Sequence, residues 1–263
     1  MANINIDGFI KQRLAQGGRV DGRATDEYRP ISVEYGVSAK SAEGSARVKI
    51  GDTEVVAGVK LGVEKPYPDR PDEGSIMVNA ELLPLSSPDY EAGAPGVEAI
   101  ELSRVVDRAI RESKSIDVKK LCITPGEKIW MIYIDIYTIN DAGNVFDAAA
   151  LAAVAALKDA VFPVYDKEAG LVTYEKTKER LPLLKTPISV TVVKIGDKFL
   201  IDPNSEEEKA VDARLMVATA DDKHICAMQK GGEATLSVDE INNIVAMAVK
   251  KRSELAKYLE VKK

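Results

Sequence analysis

Val48-Lys49-Ile50-Gly51-Asp52 and Val193-Lys194-Ile195-Gly196-Asp197 spell the same pentapeptide twice in one chain. Around the first copy, Ala46, Val48 and Ile50 alternate with polar neighbours, and Val55, Ala57, Val59 and Leu61 alternate on the return. Period-two alternation on both sides of a Gly-Asp step reads as two antiparallel strands with one buried face. Around the second copy, Ile188, Val190 and Val192 lead in and Phe199 to Ile201 lead out. Gly-Asp turns are common, so the pentapeptide alone is a weak repeat; with its flanking strands it points to two halves built on one plan.

Outward from the hairpins, other elements fall into place. Ile10 to Gln16 reads as a short helix stopped by Gly17-Gly18, followed by a compact basic turn, Arg19-Val20-Asp21-Gly22-Arg23. Trp130, Ile132, Ile134 and Ile136 alternate with their neighbours as a further strand. The alanine-rich run Asp147 to Leu157 is apolar on nearly every face, which predicts a helix buried on several sides, with Asp147 as its cap. Asp166 to Arg180 is polar and reads as a link between the halves. Ser237 and Glu240 form an S-x-x-E box before a terminal helix with Ile241, Ile244, Val245 and Ala248 as its apolar stripe. Strands and helices intermix in an α+β pattern with antiparallel pairs. The expected division is an N-terminal helix and basic turn over 1–28, a first half over 29–165, a linker over 166–187 and a second half with its C-terminal helix over 188–263.

Composition narrows the function. The 263 residues carry 42 acidic and 36 basic side chains, a formal net charge of -6, so nucleic-acid binding needs a local basic patch or a surface shared with a partner. Two isolated cysteines, Cys122 and Cys226, and one histidine, His224, offer no CxxC pair and no histidine-rich metal set, as expected of free thiols in a reducing cytoplasm. No signal peptide, membrane span, P-loop or GxGxxG is visible. No metal or cofactor is expected. The acid run Glu206-Glu207-Glu208 is open to two readings, a metal site or a solvated loop.

The stretch from about Glu98 to Ser113 reads as a helix with Ile100, Val105, Val106 and Ile110 as buried candidates. Arg104, Arg108 and Arg111 fall at i, i+4 and i+7, on one face. A solvated face neutralised by Glu101 and Asp107 explains this spacing. So does a row of guanidinium forks gripping successive phosphates.

Several longer stretches carry a resemblance: Val78-Asn79-Ala80-Glu81-Leu82-Leu83-Pro84-Leu85, Gly93-Ala94-Pro95-Gly96, Ala99 to Arg108, Gly143-Asn144-Val145-Phe146-Asp147-Ala148, and Asp202-Pro203 followed by Glu206-Glu207-Glu208. In this order they resemble the RNase PH family, and within it the non-catalytic RNase PH-like subunit of the archaeal exosome. The resemblance implies an RNase PH fold of two related β-sheet and helix halves. It also implies a ring of three heterodimers with a catalytic paralogue, capped by RNA-binding subunits and degrading single-stranded RNA from its 3′ end with inorganic phosphate. The non-catalytic subunit contributes arginines to the RNA path. Here these are Arg104 and Arg108, with Arg111 on the same face.

Active members resemble one another in a Gly-Ser/Thr-Arg element that holds phosphate, where this chain has Gly143-Asn144-Val145-Phe146. They also place a pair of aspartates after the second hairpin. Here Glu208 stands at one position and Arg214 at or near the other, with Asp212 close by. The loop before the arginine helix carries Glu91 and Glu98 where active members are basic. No catalytic residue is therefore expected. The competing readings are an active phosphate-dependent 3′-to-5′ exoribonuclease and a purely structural ring subunit.

Overall fold

A computed structural model describes residues 6–166 and 168–260. The elements in chain order are α1 (Ile6–Ala15), β1 (Ile31–Tyr35), β2 (Gly44–Ile50), β3 (Thr53–Glu64), β4 (Ser75–Glu81), α2 (Val97–Glu112), β5 (Cys122–Thr124), β6 (Lys128–Asn140), α3 (Val145–Asp159), β7 (Val161–Asp166) and β8 (Leu171–Arg180). They continue with β9 (Ile188–Ile195), β10 (Lys198–Ile201), α4 (Ser205–Glu208), β11 (Ala213–Thr219), β12 (Ile225–Gly231) and α5 (Val238–Tyr258).

Both copies of the repeated pentapeptide turn a hairpin, β2 into β3 and β9 into β10. Gly51 has φ 57° and Gly196 φ 58°, at the first central position of a two-residue turn, which a II′ hairpin reserves for glycine. The first sheet runs β1-β2-β3-β6-β4, with β5 also on β6, and the second runs β10-β9-β11-β12. The α+β reading therefore holds, with one addition. β4 pairs with β6 in parallel. Parallel neighbours need a crossover connection, and α2 lies in it.

The helices α2 and α3 form the layer between the two sheets. α3 packs on β1, β2, β3 and β6 of the first sheet and on β9 of the second, and α2 packs on β4 and β12. This explains the alanines. Every residue of α3 from Asp147 to Leu157 is buried, and a sheet on each side leaves room only for small side chains. The approach is so close that a Cβ on Gly44 of β2 would lie 2.4 Å from the Ala156 carbonyl. α5 covers β9 and β11 on the other face: Lys194 of β9 bonds Glu240 of α5, whereas Thr191, three positions earlier, lies against Asp147 of α3. The Ser237–Glu240 capping box of α5 is formed in full.

Several local expectations change. The cap of α3 is Asn144, in the left-handed conformation at φ 60°, and Asp147 is instead buried in the first turn, accepting the Tyr28 hydroxyl at 2.8 Å. The polar segment expected as a linker carries β8, which pairs antiparallel with β7. Val172, Thr173 and Thr177 favour extended backbone, but the hairpin is largely exposed and so lacks alternating polarity. Ile100, expected inside, is 48% exposed, because it sits one turn before Arg104 on the polar side of α2.

The basic turn after α1 proves to be structural. Arg19 is buried and grips Glu207 with both Nε (2.9 Å) and Nη2 (2.6 Å), while donating to the carbonyls of Ile201 (3.0 Å) and Asp202 (2.7 Å). Glu207 lies in the acid run, and its side chain also closes a capping box with Asn204 at the start of α4. Next to it, the Asp202 carboxylate accepts Arg23 (2.9 Å), Arg29 (2.7 Å) and Asn144 (2.9 Å). Burial pushes Asp202 up, but Arg29, helped by Asn144, outweighs it and leaves the carboxyl below its ordinary range. Removing one partner of such a pair strands a buried charge, which costs about 3–5 kcal/mol. Glu207→Ala is expected to lose about that much in urea unfolding; a loss within the ±0.5 kcal/mol or so of an ordinary surface substitution would contradict the account.

Candidate functional site

The arginine helix α2 has an extended Gly96 as its N-cap and no side-chain cap, so its first turn relies on Glu98 at the positive end of the dipole. Ala99, Leu102, Val105, Val106, Ala109 and Ile110 are buried, which fixes the helix's rotation and turns the arginines outward. The row is not uniform. Arg104 is exposed and makes no hydrogen bond or ion pair with any described residue. Arg108 is half-buried, with Nη2 donating to Gln229 Oε1 of β12 at 2.6 Å. Arg111 is exposed and paired with Asp107 (3.0 Å) and Glu112 (3.5 Å). Asp107 thus partly neutralises the row, as the first reading held, but Glu101 does not pair within it. Glu101 accepts Arg214 of β11 at 2.5 Å and Gln229 Nε2 at 3.2 Å.

One network therefore runs Arg214–Glu101–Gln229–Arg108 across three elements, β11, α2 and β12. Gln229 binds with both ends of its amide, its oxygen to Arg108 and its nitrogen to Glu101. This restrains the Arg108 guanidinium, whereas Arg104 is exposed. Gln229 went unnoticed in the sequence, because nothing in the alternation of its strand marks it.

Beside this network lies a cleft of about 360 Å³, lined among others by Glu98 and Glu101 of α2, Asn144, Val145 and Phe146 at the start of α3, Glu208 and Arg214. The stretches expected at a family phosphate pocket thus meet at one place. Glu208 and Arg214 line the cleft. Asp212 does not: its carboxylate accepts Lys11 at 3.0 Å and the Gly196 amide at 2.6 Å. Of the two residues left open in the sequence, Arg214 faces the cleft and Asp212 does not.

The cleft is poorly suited to an anion. Four carboxylates, Glu98, Glu101, Asp141 and Glu208, line it with Arg214. Arg214 is already engaged, bonded to Glu101 and stacked 4.3 Å from the Phe146 ring centroid. The side chains of Val145 and Phe146 add no donor. Glu208 is exposed as a residue, yet protein atoms crowd around its carboxyl. That desolvation raises it to about 7; the Asn144 amide draws it down, Asp141 pushes it up, and Arg214 and Arg29 draw it down.

The 3′ exoribonuclease family matches in two parts, domain 1 over residues 27–163 and domain 2 over residues 185–251. The chain is 49% identical over 260 residues to exosome complex component Rrp42 of Methanocella arvoryzae, covering 99% of this chain and 97% of that one. It is 46% identical over 243 residues to exosome complex component Rrp42 of Methanothermobacter thermautotrophicus, covering 92% and 89%. Among solved structures, it is similar to a chain of the Archaeoglobus fulgidus exosome with RNA bound to the active site, at 41% identity and TM-score 0.90, covering 97% of this chain and 98% of that one. Rice Rrp46, at 18% identity and TM-score 0.70 with 92% and 98% covered, shares the fold.

The raised Glu208 carboxyl carries a pH signature. A carboxyl that ionises less readily when folded stabilises the protein below its unfolded value, ordinarily 4.5, and loses that contribution as pH rises through about 7. Asp147, raised to about 6 chiefly by burial, acts in the same direction. Glu208→Gln keeps an acceptor for the Asn144 amide but cannot titrate. Its urea stability is expected to fall less than that of the parent between pH 5 and pH 8; equal declines would contradict the assignment.

Proposed function

The chain belongs to the 3′ exoribonuclease family of RNase PH type, and from that membership we propose that it is a non-catalytic subunit of an exosome 3′-to-5′ RNA-degrading complex. It pairs with a catalytic RNase PH-like paralogue in a ring of three heterodimers, presents α2 to single-stranded RNA near the partner's site, and sits beneath RNA-binding caps. Its place of action is the cytoplasm. No helix among the described residues is long and apolar enough to cross a membrane. The names of its close relatives, all exosome components, support this reading.

The observation that carries it is a division of the site. Arg104 is exposed and has no hydrogen bond or ion pair among the described residues, with Arg108 one turn along the same helix, while the chain's own cleft offers carboxylates, Val145 and Phe146 where active members hold phosphate. Phosphorolysis needs phosphate aligned with the scissile bond and cations around the developing charge. This cleft supports neither. The arginines suit a different role, because each guanidinium can fork onto a phosphate oxygen pair and hold the RNA backbone without reading its bases. A ring also gives cover to the outer edges of β4 and β12, each the last strand of its sheet and both packed against α2.

The purely structural reading draws on Arg111, which is paired with Asp107, and on Arg108, held by Gln229. Arg104 separates the two readings. Mixed with the paralogue, the chain is expected to elute as one complex in size-exclusion chromatography; separate peaks would contradict the ring. For that complex, Arg104→Ala with Arg108→Ala is expected to lower the salt slope of single-stranded RNA binding by about 0.7 for each phosphate no longer neutralised. An unchanged slope would favour the structural reading.

A further inference from the structure

The cleft described above does more than exclude phosphate. Its carboxylates differ in what they have left to bind. Both Glu101 oxygens are taken, by Arg214 and Gln229. Both Asp141 oxygens are taken, by the Tyr90 hydroxyl and the Gly143 amide. Glu208 uses one oxygen, for the Asn144 amide at 2.8 Å, and the other accepts nothing from the described residues. Glu98 accepts nothing from them at all. The single cation on the wall, Arg214, is committed to Glu101 and Phe146.

A second feature is independent of charge. Asn144 is 1% exposed and lines the cleft. Its Nδ2 is turned to Asp147 (3.2 Å) and Asp202 (2.9 Å), which fixes the orientation of the amide. Its Oδ1 is buried with no partner. A buried acceptor left without a donor is costly, and this one belongs to a residue of the cleft wall. The unused groups at this wall include three acceptors, a free carboxylate oxygen on Glu208, the Glu98 carboxylate and the Asn144 carbonyl, beside the Thr191 hydroxyl, which also has no hydrogen-bond partner among the described residues. No group of three or more histidines, cysteines or acids among the described residues could hold a metal ion. What fits is a cation that carries its own N–H donors.

We propose that the cleft between α2, α3 and the second sheet binds an organic cation, an ammonium or guanidinium group, through Glu208, Glu98 and the Asn144 carbonyl. Leu82, Val145 and Val193 on the same wall suit the methylene stem behind such a group. The ionised form of Glu208, which crowding by protein atoms disfavours, is the form that a bound cation favours. The source is either a free polyamine or a basic side chain of a neighbouring protein. The inference goes beyond the RNA-contact reading and stands on the isolated chain, so it can fail while that reading holds, and the reverse.

Calorimetric titration of the full chain at pH 8 tests it, with spermidine in one arm and N-acetyl-arginine amide in the other. Saturable one-to-one binding is expected for at least one probe, weakened roughly tenfold by Glu208→Gln, as for loss of a bond to a charged acceptor. Glu98→Gln, in an exposed first turn, is the second variant should the first misfold, and is expected to weaken binding in the same direction. Preference for the blocked arginine assigns the site to a neighbour's side chain, and preference for spermidine to a free polyamine. Absence of saturable binding by both probes, or affinities unchanged in both variants, overturns the proposal; the latter would assign the heat to the net charge of -6 spread over the surface.

Discussion

The architecture depends on a buried knot of charge around Asp202 and Glu207. Asp202 adopts the left-handed conformation at φ 52°, unusual for a residue with a side chain, and is fully buried. Its carboxylate is surrounded by donors from the N-terminal arm, Arg23 and Arg29, and from the start of α3, Asn144. Arg19 meets Glu207 and the carbonyls of the same turn. Three segments far apart in sequence are thereby locked together: the arm before β1, the turn into α3, and the turn from β10 into α4. Charges this deep are tolerated only when each is paired and hydrogen-bonded.

The cleft inherits its shape from that knot. Asn144 contributes its amide nitrogen to Asp202 and its backbone N–H to Glu208, so one residue links the buried charges to the cleft wall. Gly143 before it has no room for a side chain: a Cβ would lie 2.5 Å from the Pro203 carbonyl. From there the wall continues through Phe146 to Arg214 and Glu101, and Glu101 is bonded in turn to Gln229, which holds Arg108. The residues that deprive the cleft of a free cation are the ones that brace the arginine helix. The absence of a free cation in the cleft and the restraint of the arginine helix both follow from the same side chains.

Much of this was legible in the sequence, for identifiable reasons. The hairpins showed because one face of β2 and β3 is buried and alternates, and α3 showed because a helix between two sheets has to be small all round. The arginine row showed because α2 has a clean apolar stripe opposite it. What stayed hidden were partners. Tyr28 lies 119 residues from Asp147, Gln229 lies 121 from Arg108, and Glu207 lies 188 from Arg19. Local rules made Asp147 a cap and Arg19–Arg23 a compact basic turn, since both roles suit those residue types where no tertiary partner intervenes. β8 was missed for the opposite reason: an exposed hairpin has no buried face to impose a period. The position of Glu208 and Arg214 together at the cleft, with Asp212 turned to Lys11, could be settled only by the fold.

The central claim is that this chain holds RNA for a catalytic partner and does not itself cleave it. The most direct measurement is phosphate-dependent release of nucleoside diphosphates from a single-stranded RNA, comparing the chain alone with its one-to-one mixture with the paralogue. The account predicts no release from the chain alone and release from the mixture. Release by the chain alone would contradict it, and would mean that a cleft walled by Val145, Phe146 and carboxylates can hold phosphate for attack after all.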